Sequence, residues 1–415
     1  MRSTARKTGA GIAGIGVATG VASLAGYGLL ALVGRALGPA DFGLFVAFWG
    51  VLFGVGSSLS TIEQETARRA ASATPDDGPP TGAVAAAAAA IAGLAAAATL
   101  LPPVAQRLYG QADSRIGLVV LVAALGFAAQ FAVRGLLIGS GATRGYAGLL
   151  VTEAAARLVV LLTFLAVLDL DLQLAAVAVA VGSFAWLGWA GRARAALPGR
   201  DVSGRVWRAA TARAGSLMLG AALTASVITG FPTLVTALTD GTPGVAGGAV
   251  FAAITVSRLP LLLFSPIQAV AVPFVVRTHG TPGPEGTGAL RRMLVLGTAG
   301  FLTLGALAAA VAWAIGPWAV RLVYGDAYDV PAPAIALLVL SACLLAWVQL
   351  LSAALIALAA HRGMLLMWGA AVAATVAWLV LSPFDVVATT AVGSLAGPLA
   401  ALMCAAPMLW RLARR

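Results

Sequence analysis

Apolar residues along this chain neither alternate with polar ones nor return at a single-face helical spacing. They run in nearly unbroken stretches, divided by short clusters of charge, proline and glycine. A helix needs roughly 20 apolar residues to cross the hydrocarbon core, so each stretch predicts a spanning helix. Cutting at the polar clusters gives twelve segments, near 9–34, 42–62, 81–103, 116–138, 147–168, 174–190, 211–236, 247–276, 292–316, 332–358, 363–381 and 387–410. The predicted fold class is an all-α polytopic membrane protein of about 12 transmembrane helices.

Composition narrows the class further. Of 415 residues 60% are hydrophobic and 10% charged, against roughly a quarter charged in a soluble domain, which excludes a soluble fold. The formal charge of +11 would suit nucleic acid only if the basic residues shared one solvated face; here they punctuate apolar runs, so no nucleic-acid partner is expected. Cys343 and Cys404 each lie alone in an apolar segment and read as packing residues, while His279 and His361 read as loop residues. None has metal-ligand spacing, so no metal or cofactor is expected. The run from Gly9 to Val33 behind the basic Met1 to Lys7 exceeds a signal-peptide core of about 7–15 residues and reads as an uncleaved first span.

Charge sets the orientation. With the N-terminus in the cytoplasm, 20 of the 26 basic residues fall on inside stretches, Arg35, Arg107, Arg115 and Arg321 fall outside, and Arg157 and Arg258 lie within spans. The positive-inside bias therefore puts both termini in the cytoplasm of a cell inner (plasma) membrane protein.

The chain also echoes itself. Arg107-Leu108-Tyr109-Gly110 follows span three and Arg321-Leu322-Val323-Tyr324-Gly325 follows span nine, six spans later. Each motif by itself reads as a helix cap at the outer interface, where Tyr and Arg commonly sit. Six being even, the halves are parallel repeats, predicting two six-helix bundles related by a pseudo-two-fold axis along the membrane normal. The expected division is 1–192 for the first bundle, 193–210 for a basic cytoplasmic linker and 211–415 for the second. The glycines of span one (Gly9, Gly11, Gly14, Gly16, Gly20, Gly26 and Gly28) read as a close-packing face. Pro232, Pro260, Pro266 and Pro273 predict bending in spans seven and eight.

The stretch Gly34-Arg35-Ala36-Leu37-Gly38-Pro39-Ala40-Asp41-Phe42-Gly43 resembles the Arg-x-Leu-Gly-Pro-x-x-Phe/Tyr-Gly sequence of polysaccharide-unit, or lipid-linked oligosaccharide, flippases. These belong to the multidrug/oligosaccharidyl-lipid/polysaccharide exporter superfamily. Arg134-Gly135-Leu136-Leu137, leading to Glu153 and Arg157, is similar to that family's fourth-to-fifth helix region. The resemblance implies alternating access between two bundles, a polyprenyl-diphosphate-linked saccharide as cargo for cell-surface polysaccharide biosynthesis, and no enzymatic chemistry. Partners would be membrane lipids and a polysaccharide polymerase or glycosyltransferases.

Ionisable groups inside a bilayer are costly and are functional candidates by default. Glu153 and Arg157, four apart on one helical face, suit either a self-neutralising structural pair or a substrate or coupling site. Arg157 and Arg258 each fall near mid-span, one per half, and guanidinium forks match phosphate oxygens, so the two are expected to approach the diphosphate as a clamp. The other reading of Arg258 is that it serves backbone carbonyls freed by a nearby proline. Arg35, Gln130, Arg134 and Gln349 are further candidate substrate-binding residues, and Glu63, Gln64, Glu65, Arg68 and Gln268 are polar residues available to line a cavity. Alternative functions are a multidrug or other small-molecule exporter of the superfamily, and a membrane-embedded glycosyltransferase or polymerase, disfavoured by outer connections of about five to fifteen residues.

The topology is tested by cysteine labelling in a background lacking Cys343 and Cys404. Cysteine at Arg107 or Arg321 should react with an impermeant reagent added to intact cells, and cysteine at Arg205 or Arg208 only after lysis. The opposite pattern would invert the topology.

Overall fold

The computed structural model describes residues 2–71, 81–110, 114–192, 204–239, 243–259, 284–358 and 360–412. Its regular elements among these residues are all helices, and ten of those helices are long and apolar enough to span a bilayer. The protein is therefore a multi-pass membrane protein.

Helix Arg2–Ala71 is broken at Gly38 into α1 (2–37) and α2 (39–71). Gly38 has φ 74° and ψ 172°, a region open essentially to glycine, and Pro39 has no N–H with which to continue α1. There follow α3 (Thr81–Ala97), the short amphipathic α4 (Pro102–Tyr109), α5 (Arg115–Gly139), α6 (Thr143–Val167) and α7 (Leu172–Ala180). α7 runs on as a 3₁₀ helix, Val181–Trp189. Then come α8 (Gly204–Ile228), α9 (Phe231–Leu238), α10 (Gly244–Ser257), α11 (Pro284–Tyr324), α12 (Ala332–Ala357), α13 (His361–Leu381) and α14 (Val386–Leu412).

The expected spans correspond to these elements. The first two share Ala13–Ala71, and the seventh is α8 continued by α9 across a break. The eighth begins as α10; its remainder, with Pro260, Pro266, Gln268 and Pro273, lies outside the described residues, as does His279.

The chain forms two compact units, 1–37 with 44–225, and 38–43 with 226–415. The division thus falls near the end of α8, not in the expected linker at 193–210, of which 193–203 lie outside the described residues and 204–210 are helical. α8 belongs to the first unit because it packs there: Ala210, Ala214 and Met218 are buried, and Arg213 reaches Glu65 of α2 at 3.0 Å.

In the first unit α5 packs closely on α2. A Cβ at Gly135 would lie 2.5 Å from the Glu63 carbonyl oxygen, and one at Gly139 would lie 2.6 Å from that of Ala67. Spaced four apart, the two glycines form the small-xxx-small face that lets helix backbones approach. The sequence assigns that role to span one, yet the space around Gly14, Gly16, Gly20, Gly26 and Gly28 is open. Glycine content marks where close packing is possible; the neighbouring backbone decides where it happens.

In the second unit the 38–43 turn rests on α10. A Cβ at Gly248 would overlap the Pro39 carbonyl oxygen, and the backbones of Gly43 and Gly248 are nearly in contact. Phe42, fully buried, meets Tyr324 at 5.1 Å and Tyr328 edge-on at 5.9 Å between ring centroids. Both Arg-Leu-Tyr-Gly echoes end helices on left-handed glycines: the Gly110 N–H (φ 67°) donates to Gln106 and the Gly325 N–H (φ 105°) to Arg321. Each glycine thus closes its helix with an αL cap. Burial pushes the hydroxyls of Tyr109 and Tyr328 above the ordinary tyrosine range, so both anchors stay neutral.

Gly248→Ala should destabilise the protein by roughly 1–3 kcal/mol, the usual cost of overpacking, because backbone rather than a flexible side chain opposes the new methyl. Gly16→Ala should leave the thermal midpoint unchanged or raise it. Equal midpoints for the two variants would refute this account of the turn.

Candidate functional site

Two carboxylates and two guanidiniums meet inside the first unit. α2 supplies Glu63, α5 supplies Gln130 and Arg134, and α6 supplies Tyr146, Glu153 and Arg157. Gln130 and Arg134 are one helical turn apart, as are Glu153 and Arg157, and Tyr146 precedes Glu153 by two turns, so each set shares a helix face. The contact of Gly135 and Gly139 with α2 brings Arg134 beside Glu63.

Arg157 donates through Nη2 to Glu153 Oε1 and through Nε to the Val179 carbonyl at 3.2 Å. Its guanidinium lies 5.0 Å from the centroid of Phe53 and 5.8 Å from that of Phe127. The side chain passes over Gly182, where any Cβ would collide with it. Val179 is two residues before the 3₁₀ stretch, and a carbonyl has a second lone pair to offer.

Glu153 Oε2 accepts from Gln130 Nε2 at 2.7 Å and lies 3.9 Å from Arg134 Nη1. Arg134 Nε forms an ion pair with Glu63 Oε2 at 3.0 Å, while Nη2 donates to the Tyr146 hydroxyl at 3.1 Å. That hydroxyl donates in turn to Glu63 Oε1 at 2.8 Å. Side-chain exposure is 15% for Arg134, 16% for Glu63, 11% for Glu153 and 12% for Arg157.

Charges so buried are tolerable only when paired and hydrogen-bonded. Two positives face two negatives, so the network is neutral as a unit. The sequence suggests a basic interior with Glu153, Arg157 and Arg258 as its ionisable groups; the fold adds Glu63 and Arg134 and balances the charge. Tyr146, Phe53 and Phe127 escape the sequence reading. The seven-residue spacing of Tyr146 and Glu153 signals a shared face, but the aromatic cover of Arg157 depends on helix packing.

Arg258 is placed differently. It ends α10, and its Nη1 donates to the carbonyl oxygen of Ile228, the last residue of α8. In an unbroken helix residue 232 would serve that carbonyl; residue 232 is Pro and has no N–H. The carbonyl at Ile228 that Arg258 meets is one freed by Pro232; Pro260, the proline expected to free a carbonyl for Arg258, lies outside the described residues. Arg157 lies in the first unit and Arg258 in the second. Arg35 is exposed on α1, three residues before the Gly38 break, and Gln349 is half-buried on α12 of the second unit; both stand apart from the partners of Arg134 and Arg157 named above. Among the described residues no group of three or more His, Cys, Asp or Glu side chains forms a metal site.

Arg258→Gln should lower the thermal midpoint, as removing the partner of a part-buried carbonyl costs about 1–3 kcal/mol. Restoring a donor at position 232 with Pro232→Ala should recover much of that loss. A double variant no more stable than Arg258→Gln alone would rule out this role.

No protein-family model matches the chain. Two uncharacterized proteins of Mycobacterium tuberculosis are similar over nearly the whole length. One is 29% identical over 403 residues, 94% of this chain and 89% of its own. The other is 28% identical over 393 residues, 93% and 88%. Among solved structures, the inward-facing conformation of a multidrug resistance MATE family transporter of the MOP superfamily matches with a TM-score of 0.67 at 14% identity, covering 95% of this chain and 96% of that one. An outward-facing conformation of a multidrug resistance MATE family transporter matches at 0.55 with 16% identity, covering 97% and 94%. A Vibrio cholerae MATE transporter matches at 0.56 with 16% identity, covering 100% and 98%. The chain has the fold of the MATE transporters.

Proposed function

We propose that the protein is an alternating-access exporter that carries a polyprenyl-diphosphate-linked saccharide from the cytoplasmic to the outer leaflet of the inner membrane, for cell-surface polysaccharide synthesis. The observation that carries this reading is the set of carboxylate oxygens gathered by Arg134 and Arg157. Each oxygen occupies a place that a phosphate oxygen fills equally well, since a guanidinium fork recognises both.

Binding is then an exchange. The diphosphate takes the guanidiniums of Arg157 and Arg134, while Glu153 keeps its hydrogen bond from Gln130 and Glu63 keeps that from Tyr146. On release the carboxylates pair with the arginines again. Gln130 steadies whichever partner is present. Arg258 and Gln349 are candidate polar contacts for cargo within the second unit, and Arg35 is a candidate contact at the outer end of α1.

Driving force need not come from a coupling acid. Moving two negative charges outward against an inside-negative potential releases about 2.3 kcal/mol per charge per 100 mV, or about 4.6 kcal/mol in all.

A second reading has its own support. The network holds two acids as well as two arginines, and a solved protein of the same fold is a multidrug resistance transporter. In a small-molecule exporter a cationic cargo would take Glu153 or Glu63 and displace the arginines instead.

Reconstituted vesicles separate the two. A fluorescent short-chain polyprenyl-diphosphate saccharide should cross faster under an outward-driving potential. Arg157→Gln should slow it roughly ten- to a hundredfold, the loss of one or two charge-assisted hydrogen bonds. Transport of lipophilic cations by wild type, with no movement of the diphosphate lipid, would establish the second reading and reject the first.

A further inference from the structure

α2 carries an aromatic stripe between the Gly38 turn and the charged network. Phe45, Trp49 and Phe53 follow one another at intervals of four, so they share one face of the helix. Their rings run in contact. Phe45 lies 6.2 Å from Trp49 between centroids, Trp49 lies 4.2 Å from Phe53, and Phe53 lies 6.0 Å from Phe127 of α5. All four belong to the first unit.

The rings differ in what surrounds them. Phe45 is fully buried and packs in the core. Phe53 has the Arg157 guanidinium 5.0 Å from its centroid and helps to cover that charge. Trp49 is half-buried and touches Phe53, so it stands one ring beyond Arg157. Among the described residues its indole N–H donates to no acceptor. A tryptophan that anchors a span sits at the membrane interface, where its N–H reaches water or headgroups. Counted from Pro39, Trp49 lies about 15 Å down the helix axis, below that belt. Leucine would cover apolar surface there equally well; an indole adds a flat face and one donor.

The geometry points to Trp49 as the sugar contact of the cargo: the pyranose joined to the diphosphate stacks its C–H face on the indole, and the N–H donates to a sugar hydroxyl. The order of groups matches on the two sides. In the lipid the sugar ring follows the diphosphate, and in the protein Trp49 follows, across Phe53, the guanidinium of Arg157. A pyranose has an apolar face and a rim of hydroxyls, and an indole has an apolar face and a polar edge. A polyprenyl or acyl chain would take the ring and leave the N–H without an acceptor, which is costly in apolar surroundings. The assignment rests on the proposed diphosphate-linked saccharide cargo and adds to it the residue that reads the sugar.

Two fluorescent short-chain lipids test it in vesicles holding the full-length protein, under the same imposed potential. One is a bare polyprenyl diphosphate and the other carries a single glucose on that diphosphate. Trp49→Leu should slow the glucosylated lipid about tenfold, the loss of one ring contact and one hydrogen bond, and leave the bare lipid at the wild-type rate. Trp49→Phe, which keeps a ring, should recover part of that loss. Arg157→Gln should slow both lipids alike, because it acts on the diphosphate. Three results would overturn the role of Trp49 and leave the diphosphate reading in place: equal slowing of both lipids by Trp49→Leu, unchanged movement of the glucosylated one, or a wild type that moves only the bare lipid. If wild type moves neither, the exporter reading falls and this assignment falls with it.

Discussion

An ionised side chain inside a slab of hydrocarbon has to find its opposite charge and its hydrogen bonds within the protein, because no water is there to supply them. The first unit is arranged around that constraint. Four charged side chains from α2, α5 and α6 close on one another, with Gln130, Tyr146 and the Val179 carbonyl taking up hydrogen bonds at the edges. Glycine makes this possible, since Gly135 and Gly139 allow α5 close enough to α2 for Arg134 to reach Glu63. Neutral as a set, the four groups can stay buried, and the same guanidinium forks match phosphate oxygens as well as carboxylate ones.

Backbone groups obey the same rule. Pro232 leaves the Ile228 carbonyl without its helical donor, and Arg258, arriving from the end of α10, supplies one. At Gly38 and Pro39 the chain turns sharply, and the turn is fixed by contact with Gly248 and by the tilted and edge-on contacts of Phe42 with Tyr324 and Tyr328. Each helix break in these two places is matched by a side chain or a bare backbone from another helix. A proline in a spanning helix is thus a local change whose cost is met at a distance.

Much of this was legible in the sequence, and the physics explains which part. Runs of apolar residues fix where helices span, because length and hydropathy alone decide that, and the pairing of Glu153 with Arg157 follows from a spacing of four. The helix-capping Gly110 and Gly325 were visible as an echo. Glu63 meeting Arg134 was not, because it depends on which backbone the glycines of α5 face. The placement of α8 with the first unit was hidden for a similar reason: the basic connection before it looks like a boundary, whereas the ion pair between Arg213 and Glu65 and the buried face at Ala210 and Ala214 tie the helix backward. Arg258 was legible as a mid-span charge near prolines, but only the fold identifies which proline it answers.

The exchange picture rests on one claim, that Glu153 and Arg157 behave as a single neutral element and not as two independent polar residues. A double-mutant cycle on thermal or denaturant stability measures this directly. Glu153→Gln and Arg157→Gln should each destabilise strongly, by roughly 3–5 kcal/mol for a buried charge left without its partner. The double variant should then lose about 1–3 kcal/mol less than the sum of the two single losses. Additive losses would contradict the account and leave Arg157 without the partner that the exchange requires.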